Sequence, residues 1–300
     1  MTEITINNVF KEYNGVPILE RVNATLPDHE FCLILGSSGA GKSTLLRMLL
    51  SQETATRGEI LIDGEPIDVE PQQDRGVVFQ RYSVFPHKTV LDNVMAGPSF
   101  RESRFFGCLF GARKAKLRDR AMELLAQVGL SDAAEKYPAQ LSGGMQQRLA
   151  IAQALIMEPK VLLLDEPFGA LDQSTKKSMH KLILDLWNAN KMTIVMVTHD
   201  IQEAFTLGTR VLMVDKTRRD PQAPEAYGST IVHDLRLDPA LKAPLEPGES
   251  EENQSMEDIF LKWAGRMEHA VVPNAGSPSG APSTRVPAAD TARNSAKQVA

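Results

Sequence analysis

The chain has 300 residues, of which 42% are hydrophobic and 24% are charged, and it carries a formal net charge of −5. This composition is typical of a globular protein with room for one or two domains, and its acidic balance argues against nucleic acid as a partner. No apolar run approaches the ~18 residues of a membrane span and no secretory signal opens the chain, so we expect a cytoplasmic protein unless a partner holds it at a membrane.

Strands and helices alternate along most of the chain. Residues 4–9 alternate like a half-buried strand, and residues 30–35 predict a more buried strand that leads into a helix at 44–50. The same pattern predicts a helix at 174–188 and further strands at 59–62, 76–79, 161–164, 193–198 and 210–214. We therefore expect an α/β fold, with a largely parallel sheet and helices on both of its faces.

A stretch of helical periodicity interrupts this alternation. Apolar residues recur at three- and four-residue spacing at 112–129 and 144–157, without a strong strand signal between them. We interpret about 90–159 as a helical subdomain inserted between two parts of a core, residues 3–89 and 160–235.

The last part of the chain differs in composition. Together the core and insertion form one predicted domain at 3–235, and residues 236–300 form a C-terminal extension. A short amphipathic helix is predicted at 256–263. Residues 267–300 are rich in Pro, Ala, Ser and Gly and lack the apolar area needed to offset their ordering entropy, so we expect them to be disordered.

A phosphate-binding loop follows the strand at 30–35. Its sequence satisfies the pattern G-x-x-x-x-G-K-[ST], whose backbone N–H groups wrap phosphate oxygens. Lys42 would reach the β- and γ-phosphates, and the Ser43 hydroxyl would bind Mg²⁺. The alternative is a glycine-rich turn with a lysine by chance. The candidate nucleotide-binding residues are Gly36, Ser37, Ser38, Gly39, Ala40, Gly41, Lys42, Ser43 and the following Thr44.

Two adjacent carboxylates end the apolar run at 161–164. Asp165 would coordinate Mg²⁺ directly or through water, and Glu166 would polarise the attacking water as a general base. Acidic residues also commonly end strands simply because they are solvated there. The phosphate loop upstream favours the catalytic interpretation.

A second anion-binding motif lies at 142–144, where Ser-Gly-Gly opens a predicted helix. One nucleotide rarely needs two such phosphate sites from one subunit. The simplest interpretation is that two copies of the chain share each ATP.

Together these residues resemble the ATP-binding cassette (ABC) ATPases, from about residue 3 to 215. Residues 141–148, Leu-Ser-Gly-Gly-Met-Gln-Gln-Arg, look like the signature motif of that family. The resemblance implies a P-loop NTPase fold with a mostly parallel core sheet, an antiparallel β subdomain and an inserted α-helical subdomain. It also implies a head-to-tail homodimer in which Ser142, Gly143 and Gly144 of one copy complete the ATP site of the other.

Four more positions match motifs of the ABC ATPases. The resemblance implies that Gln80 senses Mg²⁺ and the attacking water, and that Asp172 belongs to the D-loop. It further implies that His199 contacts the γ-phosphate and that Tyr13 stacks on adenine. The alternatives are an ordinary loop amide at 80, a strand-terminus histidine at 199 and a tyrosine packed on its neighbouring strand at 13.

Within the family, residues 79–94, 137–143 and 166–172 look like importer ATPases, and the nitrate/sulfonate/taurine class is the nearest resemblance. It implies integral membrane permease subunits as partners, with a coupling helix received next to Gln80, and a separate solute-binding protein. The chain would then sit peripherally on the cytoplasmic face of the membrane. Two other functions stay open: a non-transport ABC ATPase acting on DNA or ribosomes, and a free-standing nucleotide-binding regulator.

Two segments depart from the family pattern. Residues 97–120 are longer than expected and interleave basic with aromatic residues, which suits either lipid headgroups, a partner or a solvated loop. The chain after Lys216 lacks the strand-rich ending usual in the family, and would be either a docking segment or a linker.

Overall fold

The fold is seen in a computed structural model, which describes residues 2–68, 70, 72, 74–80, 83–103, 109–218, 220–223, 225–237, 260–261 and 271–272. The strands, in chain order, are β1 (Ile4–Tyr13), β2 (Val16–Leu26), β3 (Phe31–Leu35), β4 (Arg57–Ile62), β5 (Glu65–Pro66), β6 (Arg75–Val78), β7 (Val161–Asp165), β8 (Thr193–Val197), β9 (Arg210–Asp215), β10 (Thr230–Leu237) and β11 (Val271–Val272). The α-helices are α1 (Lys42–Leu49), α2 (Val90–Glu102), α3 (Gly111–Gln127), α4 (Gly143–Leu155), α5 (Gln173–Asn190) and α6 (Ile201–Leu207).

The larger sheet is mostly parallel. Its strand order is β11-β10-β9-β3-β8-β7-β6, and β9, β3, β8, β7 and β6 run parallel to one another. Every residue of β3 and β8 is buried, because helices cover both faces of a parallel sheet. The parallel strands therefore bring their carboxyl ends, and the loops that follow them, to one edge.

The smaller sheet is antiparallel, with the order β2-β1-β4-β5. The strand predicted at 4–9 extends to Tyr13, and β2 is a strand that the sequence pattern did not reveal. Register shifts between β1 and β2 restrict the alternation of buried and exposed residues in β2 to its second half, residues 22–26, so the strand signal in the sequence is short. Asn8 and Arg21 lie at these irregularities with positive φ.

Helices α2, α3 and α4 fall in the segment at about 90–159, as the periodicity predicts. Thr89 caps α2, and its side chain accepts a hydrogen bond from the Asp92 N–H at 3.1 Å. The buried Asn93 amide binds the backbone of the preceding loop, donating to the carbonyls of Phe85 at 3.0 Å and Lys88 at 3.0 Å. The loop after β6 is thereby fixed to α2. The domain and subdomain boundaries given above remain predictions.

The end of the chain corrects one expectation. Residues 230–237 form β10, which pairs antiparallel with β9, so a strand does follow Lys216. All but its last residue are half-buried, which gives no alternating pattern for sequence analysis to detect. The pair Val271–Val272 is a short strand, although 267–300 was predicted to be disordered. The rest of that prediction lies outside the described residues.

Part of the predicted helix at 256–263 is described. Phe260 and Leu261 are helical, and Phe260 is fully buried against the rings of Phe205 and His233, at 5.6 Å and 5.4 Å between centroids. Of its described residues, the extension therefore contributes Phe260 and Leu237 to the core. Among the helices of the described residues, none is both long and apolar enough to cross a bilayer.

Arg210 ties the two sheets together. Its guanidinium forms a bidentate pair with Asp234 on β10, both N···O distances being 2.7 Å, and lies 3.3 Å from Glu30. It also donates to the carbonyl of Thr25 on β2. Burial raises the pKa of Glu30, an effect that the charge of Arg210 opposes.

Arg210→Met should lower the free energy of unfolding by about 3–5 kcal/mol, because it leaves the buried Glu30 and the partly buried Asp234 without their cation. Urea denaturation would measure the loss. Lys160→Met is the matched control, since it removes an exposed pair to Asp63 at 3.5 Å and should cost less than about 1 kcal/mol. Equal effects of the two substitutions would contradict this role of Arg210.

Candidate nucleotide-binding site

The phosphate loop joins β3 to α1 at the carboxyl edge of the parallel sheet. A Cβ on Gly36 would lie 2.3 Å from the Val214 carbonyl oxygen, so only glycine fits there. Gly41 has a φ of +84°, and a Cβ would meet Leu19 at 2.7 Å. These two glycines let the backbone turn tightly between β9 and β2, and α1 begins at the next residue, Lys42.

The Lys42 ammonium lies inside the curve of the loop. Its Nζ donates to the carbonyl oxygens of Gly36 at 2.8 Å and Ser37 at 3.0 Å, and the residue is 7% exposed. Burial lowers the pKa of Lys42, while the carboxylates of Glu166 and Asp165 act in the opposite direction. A cation is thus held where phosphate oxygens would meet the loop.

Ser43 and Asp165 meet although they are far apart in the chain. The Ser43 hydroxyl donates to Asp165 Oδ1 at 3.2 Å. Burial raises the pKa of Asp165, the Ser43 hydrogen bond opposes the shift, and the Glu166 charge adds to it. Two hard oxygen donors therefore share the position that the sequence assigned to Mg²⁺.

Glu166 and His199 follow the neighbouring strands β7 and β8 and lie close to each other at the same edge of the sheet. His199 Nδ1 lies 3.2 Å from Glu166 Oε2, and the Glu166 N–H donates to the Val197 carbonyl at 3.0 Å. Glu166 adopts a positive φ of 45°, a backbone conformation uncommon for a side chain of this kind. The backbone is thus held in a costly conformation at the residue predicted to be the base.

Gln80 completes this group from a position two residues after the end of β6, at the edge of the sheet. It is exposed, and a Cβ placed on Gly169 would lie 4.0 Å from its Nε2 and 3.7 Å from the Glu166 carbonyl oxygen. Gln80 therefore lies next to the loop that carries Glu166, as its predicted role requires.

The signature residues lie on a different part of the molecule, at the start of α4. Ser142 caps that helix and accepts from the Met145 N–H at 3.4 Å, and a Cβ on Gly144 would lie 2.6 Å from Thr175 Cγ2. Within the part of the chain that the structure describes, no hydrogen bond connects 142–144 to the phosphate loop. The structure thus brings the phosphate loop, Asp165, Glu166 and His199 to one edge of the sheet but leaves this motif apart.

Asp172 caps α5, the helix against which Gly144 packs. Its Oδ1 accepts from the N–H groups of Ser174 at 3.1 Å and Thr175 at 3.0 Å. The side-chain hydrogen bonds from Ser174 and Thr175 hold the pKa of this carboxyl well below its usual range. Asp172 is therefore an exposed, fixed negative charge beside the signature helix.

Tyr13 lies at the end of β1, near the first turn of α1. Its hydroxyl donates to the Glu53 carboxylate, and its ring is 4.9 Å from Lys11 Nζ. The pKa of Tyr13 is raised by burial and by Glu53, whereas a hydrogen bond with the Thr44 side chain lowers it. The ring is 40% exposed, so one face can receive another flat group.

Sequence reasoning missed a buried ionic cluster behind His199. Thr198 Oγ1 donates to Glu203 Oε2 at 2.7 Å, and Lys176 Nζ lies 3.3 Å from both Glu203 and Asp200. His180 Nε2 lies 3.7 Å from Glu203 Oε1. Burial raises the pKa of Glu203, but the adjacent His180 imidazole, the hydrogen bond from Thr198 and the Lys176 charge together hold it below its usual value.

One sequence signal could have found part of this cluster. Residues 200–203, Asp-Ile-Gln-Glu, have the spacing of a capping box, and Asp200 does cap α6 by accepting from the Gln202 N–H at 2.9 Å. The cluster connects the loop of His199 to α5, whose N-cap is Asp172.

Comparison with known proteins identifies the family. A profile described as "ABC transporter" matches residues 19–169. The chain is 45% identical over 214 residues to the nitrate import ATP-binding protein NrtD of Synechocystis sp., covering 71% of this chain and 77% of that protein. It is 38% identical over 256 residues to the aliphatic sulfonates import ATP-binding protein SsuB of Escherichia coli, covering 83% of this chain and 94% of that protein.

Solved structures agree with this result. The dimeric post-hydrolysis structure of the ATP-binding cassette MJ0796 bound to ADP and Pi matches with a TM-score of 0.62 and 31% identity, over 78% of this chain and 98% of that one. CbiO1 from Clostridium perfringens, part of the ABC transporter complex cbiONQ, matches with a TM-score of 0.65 and 28% identity, over 77% and 87% of the two chains. The predicted fold class and resemblance are confirmed: the chain belongs to the ABC transporter family and is one of its ATPases.

Proposed function

We propose that this ATPase powers a membrane importer for a small solute, and that two copies of the chain hydrolyse ATP at shared sites. The observation that carries the proposal is the convergence of the phosphate loop, Asp165, Glu166 and His199 at one edge of the sheet. This group has a loop for phosphates, a metal-binding carboxylate and a candidate base, which are the parts that phosphoryl transfer to water requires.

ATP and Mg²⁺ fit the donors present. The N–H groups of residues 36–44 and the Lys42 ammonium would hold the phosphates, and the exposed face of Tyr13 would stack on adenine. Ser43 and Asp165, with Gln80, would hold Mg²⁺, since all three offer the oxygen ligands that this ion prefers. When bound, Mg²⁺ would neutralise charge on the phosphate oxygens.

The hydrolytic step is assigned to residues of this chain. Glu166 would accept a proton from the attacking water, which Gln80 helps to position. His199 is within hydrogen-bonding distance of Glu166, so it can orient that carboxylate while its other ring nitrogen reaches the γ-phosphate. In these roles the residues act through positioning and electrostatics, which dominate catalysis of phosphoryl transfer.

The second copy supplies what one chain lacks. Ser142, Gly143 and Gly144 open α4 away from the phosphate loop of their own chain, and their N–H groups suit a phosphate. In a head-to-tail homodimer they would close the ATP site of the partner, with Asp172 next to the contact. ATP would then hold the dimer together, and hydrolysis would release it.

A groove beside β6 offers a place for the permease. It has a volume of about 320 Å³ and lies between the edge strand β6 and helices α2 and α4. Ser83 and Phe85 line it, close to Gln80, whereas Arg81 and Tyr82 lie outside the described residues. A coupling helix from a membrane subunit in this groove would connect the permease to the catalytic loop.

The relatives guide the substrate class. Proteins named for the import of nitrate and aliphatic sulfonates match this chain at 45% and 38% identity, and a taurine import protein of Rhizobium johnstonii matches at 42%. We therefore assign the chain to uptake of a small solute of this kind, delivered by a solute-binding protein, at the cytoplasmic face of the membrane. Action on DNA or ribosomes has no support from these import proteins.

Glu166→Gln should reduce ATP hydrolysis by about 10²–10⁴-fold, because the amide cannot accept the proton of the attacking water. ATP binding should persist, so an ATP-bound dimer should accumulate on a sizing column. Glu158→Gln is the control, since its carboxylate pairs with Arg120 on the surface. Normal turnover in Glu166→Gln would remove Glu166 from the catalytic step.

Ser142→Arg tests the shared site. The bulky cation should prevent the start of α4 from meeting the phosphates of the partner, so turnover should fall by about 100-fold or more. Binding of a fluorescent ATP analogue to the single chain should change little. Ala139→Arg adds the same charge to an exposed neighbour and should be active. If Ser142→Arg hydrolyses ATP normally, the head-to-tail arrangement is wrong.

Ser83→Trp tests the groove beside β6. The indole should fill the groove from an exposed position, leaving the ATPase activity of the isolated chain intact while the integral membrane subunits no longer co-purify. Ala189→Trp, at the exposed end of α5, should retain those subunits. Retention of the permease by Ser83→Trp would place its contact elsewhere.

A further inference from the structure

Two exposed phenylalanines lie together near the start of α3. Phe100 is 60% exposed and Phe110 is 79% exposed, and both line a shallow groove of about 350 Å³ between α2 and α3. Lys88, which lines the same groove, has its Nζ 5.9 Å from the ring of Phe100. Removing apolar rings of this size from water is favourable in free energy, so a contact that covers them would be favoured.

The charged side chains at the start of α3 are positive, whereas Asp92 of α2 adds one exposed carboxylate to the groove. Arg113, Lys114 and Lys116 are exposed, and none of them makes an ion pair with a described residue. By contrast, the later residues Arg118 and Arg120 pair with carboxylates at 3.3 Å and 2.6 Å. The chain as a whole carries a formal charge of −5, so this local excess of cations runs against the overall balance.

The start of α3 is also unfavourable for an isolated helix. Phe110 occupies the N-cap without a side-chain hydrogen bond, and no acidic residue lies in the first turn. Arg113 and Lys114 lie in the first turn of α3, at the positive end of the helix dipole, which destabilises these two cations. Contact with anions would relieve both charges.

This surface continues from the groove beside β6. Helix α2 contributes to both, and Ala96 lines each of them. If the groove beside β6 receives a segment of the permease, as proposed above, then the exposed rings and cations lie next to a protein embedded in the bilayer. The inference that follows rests on that proposed function.

We propose that Lys88, Phe100, Phe110, Arg113, Lys114 and Lys116 form a surface that contacts anionic phospholipid headgroups beside the permease. The phenyl rings would enter the interfacial layer, where aromatic side chains are favoured, and the cations would pair with lipid phosphates. Four cations outnumber the single carboxylate of Asp92 on this surface, and no acidic side chain lies in the first turn of α3, so the surface is complementary to a layer of negative charge.

The charge is tested by the triple variant Arg113→Gln, Lys114→Gln and Lys116→Gln, with the purified full chain and without permease or nucleotide. Co-sedimentation with vesicles of phosphatidylglycerol mixed with phosphatidylcholine should weaken by about 100-fold, roughly fivefold per cation lost. Vesicles of phosphatidylcholine alone should bind the unmodified chain weakly. The matched control, Lys136→Gln with Lys177→Gln and Lys181→Gln, removes three exposed cations elsewhere and should bind like the unmodified chain.

Phe110→Ser separates contact from folding. Serine is a better N-cap than phenylalanine, so thermal stability should stay equal or rise, while vesicle binding should fall several-fold. A general loss of structure would instead lower both.

The outcomes distinguish lipid from protein contact. Unchanged vesicle binding by the triple variant would overturn the proposal. If that variant also lost the permease, the surface would be assigned to contact with the membrane subunits instead. Because the vesicle experiment contains neither ATP nor permease, its failure is distinct from a failure of the Glu166→Gln or Ser83→Trp predictions. Loss of vesicle binding with normal ATPase activity would support the surface as drawn.

Discussion

The candidate site depends on the parallel pairing of β3, β8 and β7. Ile34 pairs with Val197 and Val197 with Asp165, so three strand ends lie level at one edge of the sheet. The loops that begin there carry Lys42, Asp165 with Glu166, and His199. A one-residue slip in any of these strands would turn the side chains of its carboxyl end to the other face of the sheet. The fully buried apolar runs that fix this register are therefore as necessary to catalysis as the polar residues themselves.

A second constraint connects the catalytic edge to the surface expected to meet the partner copy. Lys176 on α5 pairs with both Asp200 and Glu203, which follow His199 at the start of α6. The N-cap of α5 is Asp172, and the helix packs through Thr175 against Gly144. Because separating the members of a buried ion pair costs several kcal/mol, we expect the loop of His199, α6 and α5 to move together. Contact with a second copy at residues 142–144 would then shift His199 through α5.

Sequence patterns predicted the strands, helices and motifs that are determined by residues close together in the chain. Continuous apolar runs revealed β3, β7, β8 and β9, and helical periodicity placed α3, α4 and α5 within a few residues of their ends. The motifs also indicated that Ser43 and Asp165 would lie close together, and a 3.2 Å hydrogen bond joins them. What the patterns could not supply were contacts set by tertiary packing. In β2 the alternation is limited to residues 22–26 and in the half-buried β10 it is absent, and a buried acid such as Glu203 looks like a surface residue in sequence.

The separation of the signature motif from the phosphate loop follows from the same packing. Gly144 must be glycine because Thr175 occupies the space of a side chain, so the start of α4 is fixed to α5 rather than to α1. The hydroxyl of Ser142 is used within its own helix, while the first N–H groups of α4 remain suited to an anion from outside. In the head-to-tail dimer proposed above, a second copy would bring its phosphate loop to the motif and leave the contact between α4 and α5 in place.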